Sequence, residues 1–423
     1  MAQNYINKIK YALVGNNVLN NYSVLIHTYF KNKAYESISL NYDEFITLLK
    51  NKNFDGINVT KPFKDKCLEY LDELTPLAKE IGAVNLILNK NGKLIGDNTD
   101  LQGLEYLLQK KNIDLSHKVV GILGSGGSAK TIKYLATKYH AKAIYFVSRR
   151  SNTSYITYEE INNYGIEVLF NATPIGMFPN NYEELPLDLK KLNKLETYID
   201  LNYNPCRNLI LQDMQSLNIK AYNGLDMLIE QARLSEELFF DKKIDIEKNE
   251  MIKKLIVKEK SNICLIGMPY SGKTSIGYEV ARITNKEFVD IDSLIEEMED
   301  MPISDLINSK GEAYFRNIET RIVKQISVYH NLVISAGGGS ILSIKNIKYL
   351  RQNGYFCLLN RNVEDICFDE SRPLTSNKRQ YLEVYEKRKN LYKQYADFEV
   401  ENNKSIHEVA KVIKEKYDEI INY

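Results

Sequence analysis

Two short stretches of this 423-residue chain carry residue types at the spacing that phosphate chemistry needs. The stretch Gly267-Met268-Pro269-Tyr270-Ser271-Gly272-Lys273-Thr274-Ser275 satisfies G-x-x-x-x-G-K-[ST] after an apolar run and before a helical one. In such a loop the backbone N–H groups cradle phosphates, Lys273 reaches the outer phosphate oxygens, and Thr274 offers a hydroxyl to Mg2+. The stretch Gly121-Ile122-Leu123-Gly124-Ser125-Gly126-Gly127-Ser128-Ala129 contains G-x-G-x-x-A at Gly124, Gly126 and Ala129. Glycine lets the backbone turn sharply and approach a pyrophosphate, with Gly127 opening the helix whose N-terminus favours the anion. The following strand ends Val147-Ser148-Arg149-Arg150-Ser151. An acidic residue there would bond a ribose 2′-hydroxyl. Two guanidiniums with hydroxyls suit a 2′-phosphate instead, so NADP(H) is expected. A solvated strand end is the alternative reading of the same residues.

Past Thr274, Phe288-Val289-Asp290-Ile291-Asp292 sets two aspartates two apart, on one face of a strand. That arrangement serves a metal ion and an acceptor hydroxyl. Arg316 and Glu319 stand at helical i,i+3 spacing, which alone is a surface ion pair. Ser335-Ala336-Gly337-Gly338-Gly339-Ser340 opens the backbone to a ligand. Nearer the N-terminus, three segments put polar residues beside apolar strands: Asn58-Val59-Thr60-Lys61-Pro62-Phe63-Lys64, Gly82-Ala83-Val84-Asn85 and Gly96-Asp97-Asn98-Thr99-Asp100. A lysine can protonate an alkoxide as hydride arrives, and an aspartate can hold that lysine. Read alone, such a pair is ordinary surface charge.

The elements that must position these residues alternate. Residues 11–14, 35–40 and 56–60 read as strands and 24–31, 43–50 and 64–73 as helices, which argues for a parallel α/β sheet. Residues 83–88 and 93–96 flank Asn89-Lys90-Asn91-Gly92, a hairpin signal. A second α/β unit begins near Leu101, with strands at 118–123 and 143–147 around a helix to about 138. Residues 224–257 look helical and pack back on the first unit; Lys258-Glu259-Lys260-Ser261-Asn262 is the expected linker. A third α/β unit runs from 263 to the end. The expectation is α/β throughout. An α/β substrate domain spans 1–100, completed by 224–257, and a Rossmann-like NADP domain spans 101–223. A P-loop domain with a parallel sheet spans 258–423.

Hydrophobic residues make up 44% and charged residues 26%, ordinary for a soluble globular protein. A net charge of +1 gives no broad basic surface, so no nucleic-acid partner is expected. Five scattered cysteines without a CxxC pair suit a reducing compartment with no zinc site. No apolar run has signal-peptide or membrane-spanning length, so the chain reads as cytoplasmic with no membrane partner.

From about Tyr11 to Leu255 the segments resemble the shikimate dehydrogenase family, in order and at similar spacing. The resemblance implies that Lys64 and Asp100 are the catalytic pair. It implies substrate contacts at Thr60, Asn85, Tyr203 and Gln231, and a cofactor-side loop at Asn171-Ala172-Thr173-Pro174-Ile175-Gly176-Met177. Where the family usually carries His-Ser-x-Ser-Pro, whose serines hold the substrate carboxylate, this chain reads Asn20-Asn21-Tyr22-Ser23-Val24. Ser23 is kept, and Asn21 replaces the other serine; its amide can still donate to a carboxylate. A quinate-like substrate is the alternative this departure leaves open. From about Asn262 to Tyr417 the chain resembles shikimate kinase. That resemblance implies Asp290 on the metal side with Thr274, and Asp292 at the acceptor hydroxyl. Arg316 and Arg388 would grip the substrate carboxylate, Gly338 and Gly339 line the pocket, and Arg372 closes over the phosphates. Tyr270 stands where the family often has glycine, and the segment before Arg372 is short and acidic. Together the two resemblances imply reduction of 3-dehydroshikimate with NADPH, then phosphorylation of shikimate with ATP and Mg2+. A non-catalytic sensor built on the same domains is the rival from another class.

Overall fold

The computed structural model describes residues 8–18, 21–149, 155–368, 375 and 377–422. It divides into two compact units, Met1–Lys253 and Lys254–Tyr423. The first unit holds two six-stranded sheets. In one, Tyr35–Ser39, Ile9–Gly15 and Phe54–Val59 run parallel, as their alternation with helices predicts. Leu86–Lys90 then pairs antiparallel with Phe54–Val59 and Lys93–Asp97. The turn of that hairpin falls at Asn91 and Gly92, with φ of 55° and 84°, the left-handed pair such tight turns require.

Residues 64–73, expected as a helix, are turns, a short 3-10 segment at Leu68–Tyr70 and the strand Glu73–Leu74. Tertiary contacts override the local pattern. Phe63 stacks on Phe45 at 4.3 Å, and Leu94 donates its N–H to the Asp72 carboxylate at 2.7 Å. The chain is thereby drawn onto the sheet edge.

The second sheet is parallel throughout, in the order Lys220–Tyr222, Thr197–Asp200, Val168–Asn171, Val119–Leu123, Ala143–Ser148, Tyr155–Thr157. Helix Leu225–Phe240 packs on helix Asp100–Lys110. The approach is close at Gly103, where a Cβ would sit 2.7 Å from the Met227 carbonyl oxygen.

The second unit has one parallel sheet, ordered Glu287–Asp290, Leu332–Ser335, Asn262–Ile266, Gly354–Asn360, Phe398–Glu401. Its core fills both faces, with Ile266, Ile334 and Phe356 on one and Ile263, Val333 and Ile413 on the other. The expected linker is not a loop. Helix Lys248–Lys260 runs through Lys258, and Asn262 already begins a strand. Lys286 donates to the carbonyls of Lys258 at 2.9 Å and Ser261 at 2.8 Å, at the end of that helix. A lysine on helix-terminal carbonyls replaces the partners that the next turn would have supplied. Among the described residues, no helix is long and apolar enough to cross a membrane.

Candidate active sites

In the first unit a cavity of about 530 Å³ gathers Asn21, Ser23, Thr60, Lys64, Asn85, Asp100, Thr173, Tyr203 and Gln231, all singled out from sequence. Lys64 follows strand Phe54–Val59 and forms a close ion pair with Asp100, the first residue of helix Asp100–Lys110. An aspartate there also complements the positive helix end. The side chains are only 13% and 7% exposed, so water screens the pair little. Asn85 donates to the other Asp100 oxygen at 2.9 Å and accepts the Thr99 N–H at 2.7 Å. It also stands 3.4 Å from Gln231 Oε1. Behind it lies a buried layer that motif reading did not single out. Tyr35 donates to Asn58 at 2.8 Å, and Asn58 donates to Ser235 at 2.9 Å.

The glycine loop lies against the same lysine. Gly124 has φ +104°, and a Cβ on Gly126 would meet nothing within 4 Å. A Cβ on Gly127, at the start of helix Gly127–Lys138, would sit 2.8 Å from Lys64 Cβ. Ala129 is fully buried in that helix. Ser148 ends its strand half-buried and Arg149 is exposed beside it; Arg150 lies outside the described residues. Open backbone, a helix N-terminus and an exposed guanidinium fit a phosphorylated dinucleotide.

Asn171, expected at the cofactor, is not part of the cavity lining. It is fully buried, donates to Ile175 O and Asp200, and accepts from Thr173, so it braces the loop that presents Thr173. Asp200 is the hub of that brace. Asn171, Asn208, the Asn202 N–H and the Tyr198 hydroxyl all donate to it. Burial nevertheless raises its pKa to about 6. Asn208 also accepts the Leu211 N–H at 2.9 Å and so caps helix Leu209–Ser216. Tyr203 packs against Tyr22 at 5.1 Å, and burial lifts its phenol to about 12.

In the second unit a cavity of about 650 Å³ gathers Gly272, Lys273, Thr274, Ser275, Asp290, Asp292, Arg316, Gly338, Gly339 and Arg388. Gly267 lies just outside its lining, with φ +149° and no room for a Cβ beside the Leu359 carbonyl. Lys273 opens helix Lys273–Thr284 and donates back to the carbonyls of Gly267 at 3.0 Å and Met268 at 2.9 Å. Thr274 donates to Asp290 at 2.7 Å. The two aspartates do not share a strand face. Asp290 ends its strand by accepting the Asp292 N–H at 3.0 Å, which starts helix Ile291–Glu299 with Asp292 in its first turn. Both still line the cavity.

Arg316, in helix Glu312–Ile326, pairs with Glu319 at 3.0 Å and Glu312 at 3.1 Å. Arg388, in helix Lys378–Tyr395, donates to the Gly338 carbonyl at 2.9 Å. A Cβ on Gly339 would sit 2.3 Å from Arg316 Nη2, and one on Gly337 2.7 Å from Asp292 Oδ1. The glycine run therefore makes room for the protein's own side chains. Arg372 lies outside the described residues. Among the described residues no cluster of three His, Cys, Asp or Glu could hold a metal. Thr274 and Asp290 still fit Mg2+, which keeps several waters and takes few protein ligands beside phosphates.

Fold and sites together define a dinucleotide-type oxidoreductase unit followed by a P-loop phosphotransferase unit. The family described as shikimate dehydrogenase substrate binding domain matches residues 13–87, and shikimate kinase matches residues 269–418. A shikimate dehydrogenase (NADP(+)) of Clostridium beijerinckii is 33% identical over 252 residues, 56% of this chain and 93% of that protein. The crystal structure of shikimate dehydrogenase 1 from Peptoclostridium difficile matches with a TM-score of 0.54 and 32% identity, over 57% of this chain and 95% of that one. A chorismate mutase/shikimate 5-dehydrogenase fusion from Clostridium acetobutylicum matches with a TM-score of 0.54 and 30% identity, over 59% and 98%. The chain belongs to the shikimate dehydrogenase family and carries a shikimate kinase domain after it. Nothing among these matches supports the sensor reading.

Proposed function

We propose that one chain catalyses two steps: reduction of 3-dehydroshikimate to shikimate, then phosphorylation of shikimate to shikimate 3-phosphate. The observation that carries this is the composition of the two cavities. One joins a buried lysine–aspartate pair to a glycine loop, and the other joins P-loop groups to two arginines. Bound NADPH would supply the hydride, and ATP with Mg2+ the phosphoryl group. Lys64 delivers a proton to the ketone oxygen, and Asp100 holds and orients the ammonium. Asn85 fixes Asp100, while Thr60, Gln231 and Tyr203 bound the substrate.

In the second cavity Asp292 positions the acceptor hydroxyl and takes its proton. Lys273 leaves its backbone carbonyls for phosphate oxygens, and Arg316 and Arg388 hold the carboxylate. Residues 1–100 with 224–257 would form the substrate domain, 101–223 the NADP domain and 258–423 the kinase. The test is mass spectrometry of purified full-length protein given 3-dehydroshikimate, NADPH, ATP and Mg2+. Shikimate 3-phosphate is the expected product. Shikimate alone would overturn the kinase assignment, and unchanged substrate would overturn the dehydrogenase assignment.

A further inference from the structure

Two lysines and one aspartate are the charged residues lining the first cavity, which leaves one positive charge uncompensated. Asp100 neutralises Lys64. The exposed Lys61 has no ion pair or hydrogen bond from its ammonium among the described residues, and the residue is part of the cavity lining. Partial burial and the neighbouring Lys64 charge both disfavour its protonated form. Asp200 pulls the other way, but its carboxyl already accepts from four donors. An ammonium at the cavity wall with no protein partner is free to meet an anionic ligand group.

The anion is indicated by Asn21. Its amide nitrogen is turned onto the Val18 carbonyl and onto Ser37 Oγ at 3.0 Å, and its oxygen accepts the Ser23 N–H at 2.8 Å. Both ends are used within the protein, so Asn21 has no donor left for a carboxylate, contrary to the expectation from sequence. The same wall carries Lys61, whose carbonyl accepts the Asn16 N–H at 3.0 Å. We propose that Lys61 holds the carboxylate of the dehydrogenase substrate, supplying by charge the contact that Asn21 withholds. The inference rests on the dehydrogenase reading above. The dinucleotide's phosphates have their own place at the open Gly126 backbone and the helix after it.

The test is steady-state reduction of 3-dehydroshikimate and of its methyl ester by wild-type, Lys61→Met and Lys61→Arg full-length protein. Lys61→Met should raise the KM for the acid by about ten-fold or more, the loss of one charge-assisted contact. Its kcat and KM for NADPH should stay within about two-fold, which also reports an intact fold. Lys61→Arg should restore most of the affinity, and the ester should not distinguish the variants. An unchanged KM for the acid overturns the assignment. So does a rise confined to the KM for NADPH, which would make Lys61 a phosphate contact. A wild-type protein that reduces neither compound overturns the dehydrogenase reading and this inference with it.

Discussion

The two cavities hold their catalytic lysines in opposite ways. In the dehydrogenase cleft Lys64 already faces its carboxylate, with Asn85 locking the other Asp100 oxygen. In the kinase cavity Lys273 rests on the neutral backbone carbonyls of Gly267 and Met268, while the arginines divide, Arg388 on the Gly338 carbonyl and Arg316 on Glu319 and Glu312. The difference follows from the chemistry. A proton donor must stand oriented before its substrate arrives, and its carboxylate partner fixes where the ammonium points. A phosphate clamp must release its resting partners, and a carbonyl is surrendered more readily than a carboxylate. The glycines divide in the same sense. Gly126 keeps space empty for a ligand, whereas Gly339 keeps space for Arg316.

The largest effect that tests this contrast comes from removing each lysine. Lys64→Ala should lower kcat for reduction by about 10²–10⁴-fold and leave phosphorylation intact; Lys273→Ala should do the reverse. Denaturant unfolding adds the finer reading. Lys64→Ala leaves a nearly buried carboxylate without its cation and should cost about 3 kcal/mol, whereas Lys273→Ala should cost about 1 kcal/mol or less. Equal losses would erase the distinction. Next come the glycines. Gly339→Ala pushes Arg316 aside and should raise the KM for shikimate by about ten-fold, while Gly126→Ala should raise only the KM for NADPH at unchanged stability. If Gly126→Ala unfolds the protein, the space is not reserved for a ligand.

The smallest effect is a pH dependence confined to the kinase unit. His330 Nδ1 lies 3.1 Å from the Lys260 carbonyl oxygen, and burial together with the Lys260 charge lowers its pKa to about 4. The unfolded value is near 6.5, so the folded state disfavours the proton. That stability is present above pH 6.5 and is lost as pH falls through 4. Thermal inactivation of the kinase activity should worsen from pH 7 to pH 5, and His330→Asn should lessen the change. An identical slope in the variant would remove His330 from the account.

Motifs whose parts are close in sequence were legible. The P-loop and the glycine loop each need one strand, one turn and one helix, and their spacing is local. Lys64 and Asp100 were legible through resemblance, but their pairing depends on three strands and could not be read from spacing. Asp290 and Asp292 show the limit. Alternation predicts one strand face, but an aspartate that caps a helix ends the strand. Asn171 shows another, because a buried brace and a ligand contact present the same polar residue at the end of a strand. The chain of bonds from Tyr35 through Asn58 to Ser235 escaped notice because Ser235 is 177 residues beyond Asn58.

Tyr270 sits in the P-loop at φ +66°, a conformation that side chains other than glycine's disfavour by about 1–2 kcal/mol. Its ring meets Phe368 edge-on at 5.6 Å, and it lines the kinase cavity. A glycine at that position would leave this wall bare. An ATP-competitive inhibitor shaped to stack on the Tyr270 phenol would therefore separate this kinase from those with glycine there, and Tyr270→Gly would be its resistance mutation.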